Sequence, residues 1–273
     1  MQSQKTEKEL AFLHDLFVAT DWDERFATLI DKHVELPKKG AVAYLGSGTG
    51  GHAIAIKQRG GKDLSLTSVD ENQERVDLAK AKATAANELV EFRQEQLENL
   101  SFPDNHFDLV IGNASLVPIQ RLKPVVAEMI RIANPGAKVI LTLPTASSFG
   151  EFFSIYWEAL HNSGLVDHES DVEKLITELP TISDVEELLS GDLDDLVSTT
   201  QVEEFDYESG EQFLNSPLIK DFLMEGWLAS LPEDRREQVS AEIARIINEE
   251  RHNAEFALTV KATMMTGRKA RTN

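Results

Sequence analysis

Positions 46–51 read Gly-Ser-Gly-Thr-Gly-Gly, four glycines in six residues, directly after the small apolar run 41–45. Glycine at a strand exit allows a tight turn and keeps side chains out of the way of a closely approaching ligand. A helix starting beyond such a turn aims its free N–H groups outward, where a pyrophosphate or an amino-acid carboxylate can accept them. Roughly twenty residues later Asp70 ends the run Ser-Leu-Thr-Ser-Val, where an acid can accept hydrogen bonds from both hydroxyls of a ribose. Aspartate also suits the N-cap of the helical stretch that follows, and the two roles are compatible.

The glycines satisfy two patterns at once. Gly46, Gly48 and Gly51 fit the G-x-G-x-x-G of dinucleotide-binding folds, and Gly46, Gly48 and Gly50 fit the G-x-G-x-G of S-adenosylmethionine (SAM) enzymes. Loop and acid together specify an adenosine-containing ligand without choosing between them. Proton-transfer candidates are few. The chain has seven histidines and no cysteine, which removes disulfides, thiolate catalysis and sulfur-ligated metal sites. His52 follows the glycine loop, His14 lies on the first helical stretch, and His161 follows an aromatic helix; an ordinary surface role competes for His52 and His161.

The elements that must position these residues alternate. Apolar residues at helical spacing over 6–34 predict two short helices separated by Ala-Thr-Asp-Trp-Asp-Glu. Strands are expected at 41–45, 63–70, 89–96, 107–116 and 138–144. Between them lie helices at 52–60, 72–88 and 125–133, the last closed by Asn134-Pro135-Gly136. Such alternation means right-handed crossovers and a parallel sheet covered on both faces. Beyond Pro144 come an amphipathic aromatic helix, acidic helices over 166–211, a strand near 197–206, helices at about 209–230 and 233–250, and a terminal strand-like run.

The 273 residues carry a formal charge of −20. That field repels phosphate backbones and anionic lipid heads, so nucleic acid and membrane are poor partners. Arg268, Lys269 and Arg271 read as a frayed basic end. The polar N-terminus lacks a secretion-signal pattern and no apolar run is long enough to cross a bilayer, so the expected location is cytoplasmic.

The downstream residues decide between the two glycine patterns. Leu100-Ser101-Phe102 followed by Phe107-Asp108-Leu109-Val110, and then the stretch 131–144 with its Pro-Gly before a strand, resemble the class I SAM-dependent methyltransferases. The branch that resembles this chain most includes quinone and other small-molecule C- and O-methyltransferases. The resemblance covers about 40–145. It implies a Rossmann-like, doubly wound, mostly parallel seven-stranded α/β sheet with an antiparallel last strand, plus a helical lid. The domains it implies are an N-terminal helical lid (1–36), a SAM-binding core (37–146), an acidic helical insertion (147–196), and C-terminal core strands with inserted lid helices (197–273).

Carried across residue by residue, the resemblance has Gly46, Ser47, Gly48 and Gly50 bedding the methionine moiety of SAM. Asp70 would hold the ribose, Gln96 and Leu97 would face the adenine, and Asn113 would face the methionine end or the acceptor. The sequence departs from the family at two places. Tyr44 stands where the family has an acid two residues before the first glycine, and Gln96 replaces the adenine-side Asp. The implied reaction is an in-line methyl displacement onto a small molecule, which needs alignment and exclusion of water more than a base.

Phe152, Phe153, Tyr156 and Trp157 form an aromatic face at helical spacing, with Trp22 and Trp227 on other candidate lid segments. Core packing is favoured for them over a ligand wall; any part lining a pocket would suit an apolar or aromatic acceptor. The acidic surface also leaves room for a basic protein partner, and a homodimer stays open. Two rival readings are retained: a non-catalytic member of this fold serving as a binding or scaffold protein, and a NAD-dependent oxidoreductase.

Overall fold

The structure, a computed structural model, describes residues 5–250 and 256–271. In chain order its elements begin with α1 (Glu7–Leu13), a π-helix (His14–Asp23), α2 (Glu24–His33), β1 (Gly40–Leu45), α3 (Gly51–Gly60), β2 (Leu64–Asp70) and α4 (Gln73–Ala85). Then come β3 (Glu91–Gln94), β4 (Phe107–Asn113), α5 (Ile119–Ile132), β5 (Ala133–Pro144), α6 (Gly150–Asn162), α7 (Glu169–Glu178) and α8 (Ile182–Ser190). The rest is β6 (Leu193–Tyr207), α9 (Gly210–Asn215), a second π-helix (Leu218–Leu223), α10 (Met224–Trp227), α11 (Glu233–Glu250) and β7 (Phe256–Lys269).

The seven strands form one sheet in the order β3-β2-β1-β4-β5-β7-β6, parallel except for the last strand. The alternation predicts the parallel part of this sheet, and the family resemblance implies the Rossmann-like, seven-stranded arrangement with its antiparallel last strand. The order reverses direction at β1, which pairs in parallel with β2 on one side and β4 on the other. In open α/β sheets ligands bind beyond the carboxyl ends of the strands at such a switch point. Strand β1 is buried along Val42–Leu45, as a central strand covered on both faces must be.

The chain divides into two compact units. One comprises Met1–Leu143, Ile182–Thr200 and Thr263–Asn273; the other comprises Pro144–Thr181 and Gln201–Ala262. The core of the first includes Val110, Met129, Val139 and Leu141 together with Val185, Leu189 and Met265. In the second the aromatic residues pack on one another: Phe152 stacks on Trp227 at 4.1 Å and on Tyr156 at 5.7 Å, and all three are buried. That face is core, and Trp157 on the same helix is turned outward.

Several local expectations are corrected. Ala-Thr-Asp-Trp-Asp-Glu does not break the first helical run: most of it lies within the π-helix, which joins α1 to α2 without a gap. The wider turns bring Val18 and Trp22 to the buried side. The helix before Gly136 starts earlier than expected, at Ile119, and Asn134-Pro135-Gly136 are not its terminus but the opening of β5, where the pairing with β4 shifts register. The basic end is not frayed. Lys269 donates to Asn105 Oδ1 at 2.8 Å and to the Ala133 carbonyl at 3.0 Å, and Arg268 donates to the Gly136 carbonyl.

Candidate functional site

Within the first unit the tips of β1, β2 and β4 and the loop after β3 converge on a cleft of about 470 Å³. Gly46, Gly48, Asp70, Leu97 and Asn113 line it, joined by His14 and Asp23 from the first π-helix. An adjoining recess of about 380 Å³ shares Asp23 and Asn113 and adds Tyr44, Ser47, Thr49 and His52.

The glycines do different work. Gly46, Gly48 and Gly50 all have positive φ, at 65°, 56° and 77°, a region costly for side-chain-bearing residues. A Cβ on Gly48 would lie 2.6 Å from His14 Cε1 and 3.2 Å from Asp23 Oδ2, so this glycine permits the close approach. A Cβ on Gly50 would strike the Phe92 ring at 2.7 Å and Ala79 at 2.8 Å. Gly50 therefore seats the start of α3 against its neighbours, and it lines neither recess.

Asp70 is buried and hydrogen-bonded through both oxygens. Its Oδ2 accepts from the Gly48 N–H at 2.8 Å, and its Oδ1 accepts from the Asn72 N–H at 3.0 Å and from Arg75 Nε at 2.8 Å. The aspartate thus ties the glycine loop to α4. It is not the N-cap of that helix. Asn72 is, accepting from the Arg75 N–H at 2.9 Å.

At the other end of the cleft the Leu97 N–H donates to Glu71 Oε1 at 3.4 Å. Arg121 grips Glu71 and Glu98 together. Gln96 is exposed and is not among the residues lining the cleft. Asn113 lies 3.5 Å from Asp23 through its Nδ2, while its Oδ1 accepts from the Ser115 N–H at 3.1 Å.

Polar contacts strap the N-terminal segment to the core. Asn72 Nδ2 donates to Glu7 at 2.6 Å, Lys82 Nζ to Asp15 at 2.6 Å, and the Trp22 indole N–H to Ser115 Oγ at 2.9 Å. His14 lies 3.5 Å from Asp23, yet the two do not form an ordinary ion pair. Burial, with help from Arg75, pushes the His14 imidazole down to about 3, so it is neutral at physiological pH. Burial and then the Asp70 charge push the Asp23 carboxyl up to about 7.

Beside them the Tyr44 hydroxyl sits 3.1 Å from His52 Nδ1, and His52 Nε2 sits 3.0 Å from Asp31. Asp31 also takes both guanidinium NH groups of Arg59 at 2.7 and 2.8 Å. Burial would raise the Asp31 carboxyl, but the bonds to His52 and Arg59 outweigh it and hold it at about 2. His52 is therefore mostly buried and bonded on both nitrogens, not an exposed helix-start residue. His161 is a surface residue of the second unit, 3.3 Å from Glu169.

Sequence reasoning did not single out Asp23, Arg75, Glu71 or Arg121. For Arg75 a signal exists, since it lies one helical turn beyond the strand tip that holds Asp70. For Asp23 there is none in the local pattern.

The comparisons with known proteins agree with this fold. Residues 42–136, less than half of the chain, match the family model described as a methyltransferase domain, so this segment is similar to that family. Among curated relatives, norajmaline N-methyltransferase of Rauvolfia serpentina is 28% identical over 117 residues, 43% of this chain and 39% of the relative. Demethylmenaquinone methyltransferase of Deinococcus radiodurans is 29% identical over 115 residues, 41% of this chain and 47% of the relative. The chain thus spans under half the length of these two relatives. The crystal structure of the YcgJ protein from Bacillus subtilis superposes with a TM-score of 0.58 at 18% identity, covering 91% of this chain and all of the other. No helix among the described residues is long and apolar enough to cross a membrane.

Proposed function

We propose that the chain is a SAM-dependent methyltransferase that transfers a methyl group to a small, apolar or aromatic molecule. One observation carries the reading: residues from four separate strand ends, Gly46 and Gly48, Asp70, Leu97 and Asn113, meet around a single cleft at the switch point of the sheet. The cleft fits the cofactor chemically. Gly46 and Gly48 hold a positive-φ turn in which a Cβ would strike the Asn113 carbonyl or the His14 ring, so both lie bare at the cleft wall, and a buried carboxylate stands at the neighbouring strand tip.

When bound, SAM supplies a methyl group already activated on a sulfonium. The Gly46–Gly48 turn makes room for the aminoacyl chain. Asp70 accepts the ribose hydroxyls alongside the Gly48 N–H it already holds, and the buried Leu97 side chain supplies apolar surface for the purine. The segment His14–Asp23 covers the glycine loop and excludes water, which is most of what such a displacement asks of a protein. The net charge of −20 disfavours anionic acceptors, and both curated relatives are named for small-molecule acceptors.

Calorimetry with SAM and S-adenosylhomocysteine tests the reading. Binding of both is expected, and Asp70→Ala should weaken it by ~1–3 kcal/mol as charge-assisted hydrogen bonds are lost. A folded sample that binds neither ligand at millimolar concentration overturns it.

A further inference from the structure

Resting on the cofactor reading above, we propose that Asp23 is the carboxylate that receives the cationic ammonium–sulfonium end of SAM, in place of the acid that β1 lacks at Tyr44. Asp23 comes from a different element, the end of the π-helix 21 residues before Tyr44, yet it reaches the same place. It borders both the main cleft and the recess that Tyr44 lines, and its Oδ2 is 3.2 Å from the point a Cβ on Gly48 would occupy.

Its surroundings suit a cation from outside the chain. Its carboxylate oxygens lie 3.5 Å from the Asn113 amide and 3.5 Å from the His14 imidazole. Neither carries a charge at neutral pH, since burial keeps His14 unprotonated. The cationic side chains in the neighbourhood are engaged by other acids: Arg75 by Asp70 and Lys82 by Asp15. Such a half-buried acid among uncharged neighbours is costly to ionise alone and gains most from an arriving positive charge. Tyr44 does not offer the same service, because its buried hydroxyl is spent on His52. Trp22, sunk in the core and bonded to Ser115, fixes the backbone next to Asp23 and so aims the carboxylate.

Two ligands separate this role from general damage. S-adenosylhomocysteine keeps the ammonium, whereas 5′-methylthioadenosine has the same nucleoside thioether without the aminoacyl group. By calorimetry on the full chain, Asp23→Asn should weaken S-adenosylhomocysteine about 10- to 100-fold, the loss of one charge-assisted contact. Methylthioadenosine should bind the variant and the parent alike. Unchanged S-adenosylhomocysteine affinity, or equal losses for both ligands, overturns the assignment. If the parent chain binds neither ligand, the cofactor reading itself fails and this inference falls with it.

Discussion

Arg75 Nε and the Gly48 N–H hold opposite oxygens of the same carboxylate, Asp70, each at 2.8 Å. One strand-tip residue thereby sets the glycine loop and pins the first turns of α4. The oxygen that Arg75 occupies is one a ribose would have to share.

Replacing Arg75 with alanine should therefore destabilise the chain without weakening ligand binding. Asp70 would stay buried with only backbone partners, while the arginine side chain is already about a quarter exposed. The expected loss is about 1–3 kcal/mol, read as a lower urea midpoint. Methylthioadenosine affinity should not fall with it, because the variant leaves Asp70 Oδ1 open to the ribose. A midpoint equal to the parent's would show that the bridge contributes nothing.

The His14–Asp23 contact predicts opposed pH responses. Asp23 is raised from 3.8 to about 7, so the folded state binds more protons than the unfolded chain in that window and stability falls as pH rises through it. His14 is lowered from 6.5 to about 3, so the unfolded chain binds more protons there and stability rises with pH from about 3 to 6.5. Burial sets both shifts, and the charges of Asp15, Asp70, Arg75 and Lys82 around the pair modify them. In the parent the two trends largely cancel. His14→Gln should uncover the fall and Asp23→Asn the rise in urea titrations across this range. Parallel curves for the two variants would refute the scheme.

Gly48→Ala should loosen the N-terminal segment. Alanine at a φ of 56° is strained, and its methyl group would meet the His14 ring at 2.6 Å. A loss of about 1–3 kcal/mol is expected, together with faster proteolytic nicking within 14–23, measured by urea unfolding and timed digestion. Unaltered digestion kinetics would mean that the ring is not held against the loop.

What the sequence discloses here follows the range of the interactions. The glycine loop, the Asp70 strand tip and Phe107–Val110 are local patterns dictated by strand period and turn chemistry, so they can be read directly. The parallel run of the sheet follows from the βα alternation, whereas the place of β7 between β5 and β6 does not. Misreadings arise where local chemistry points one way and tertiary packing the other. Thr20, Asp21 and Asp23 look like a helix break, but Trp22 is worth more buried than a tidy helix end, about 3 kcal/mol for a ring of that size. Asn134-Pro135-Gly136 looks like a helix stop, yet the sheet recruits it as an irregular strand start. Asp23 stays hidden because its importance depends on a contact across 90 residues to Asn113, which no spacing rule encodes.

The widened helix at 14–23 also fixes an angular phase. Each of its turns takes roughly one residue more than an α-turn, so the same ten residues wound normally would present a different side chain to the loop. A one-residue insertion or deletion there would act like a slipped gear. The flanking helices could persist while the imidazole and the carboxylate swing off the glycine together, so the length of this segment is as much a part of the site as its composition.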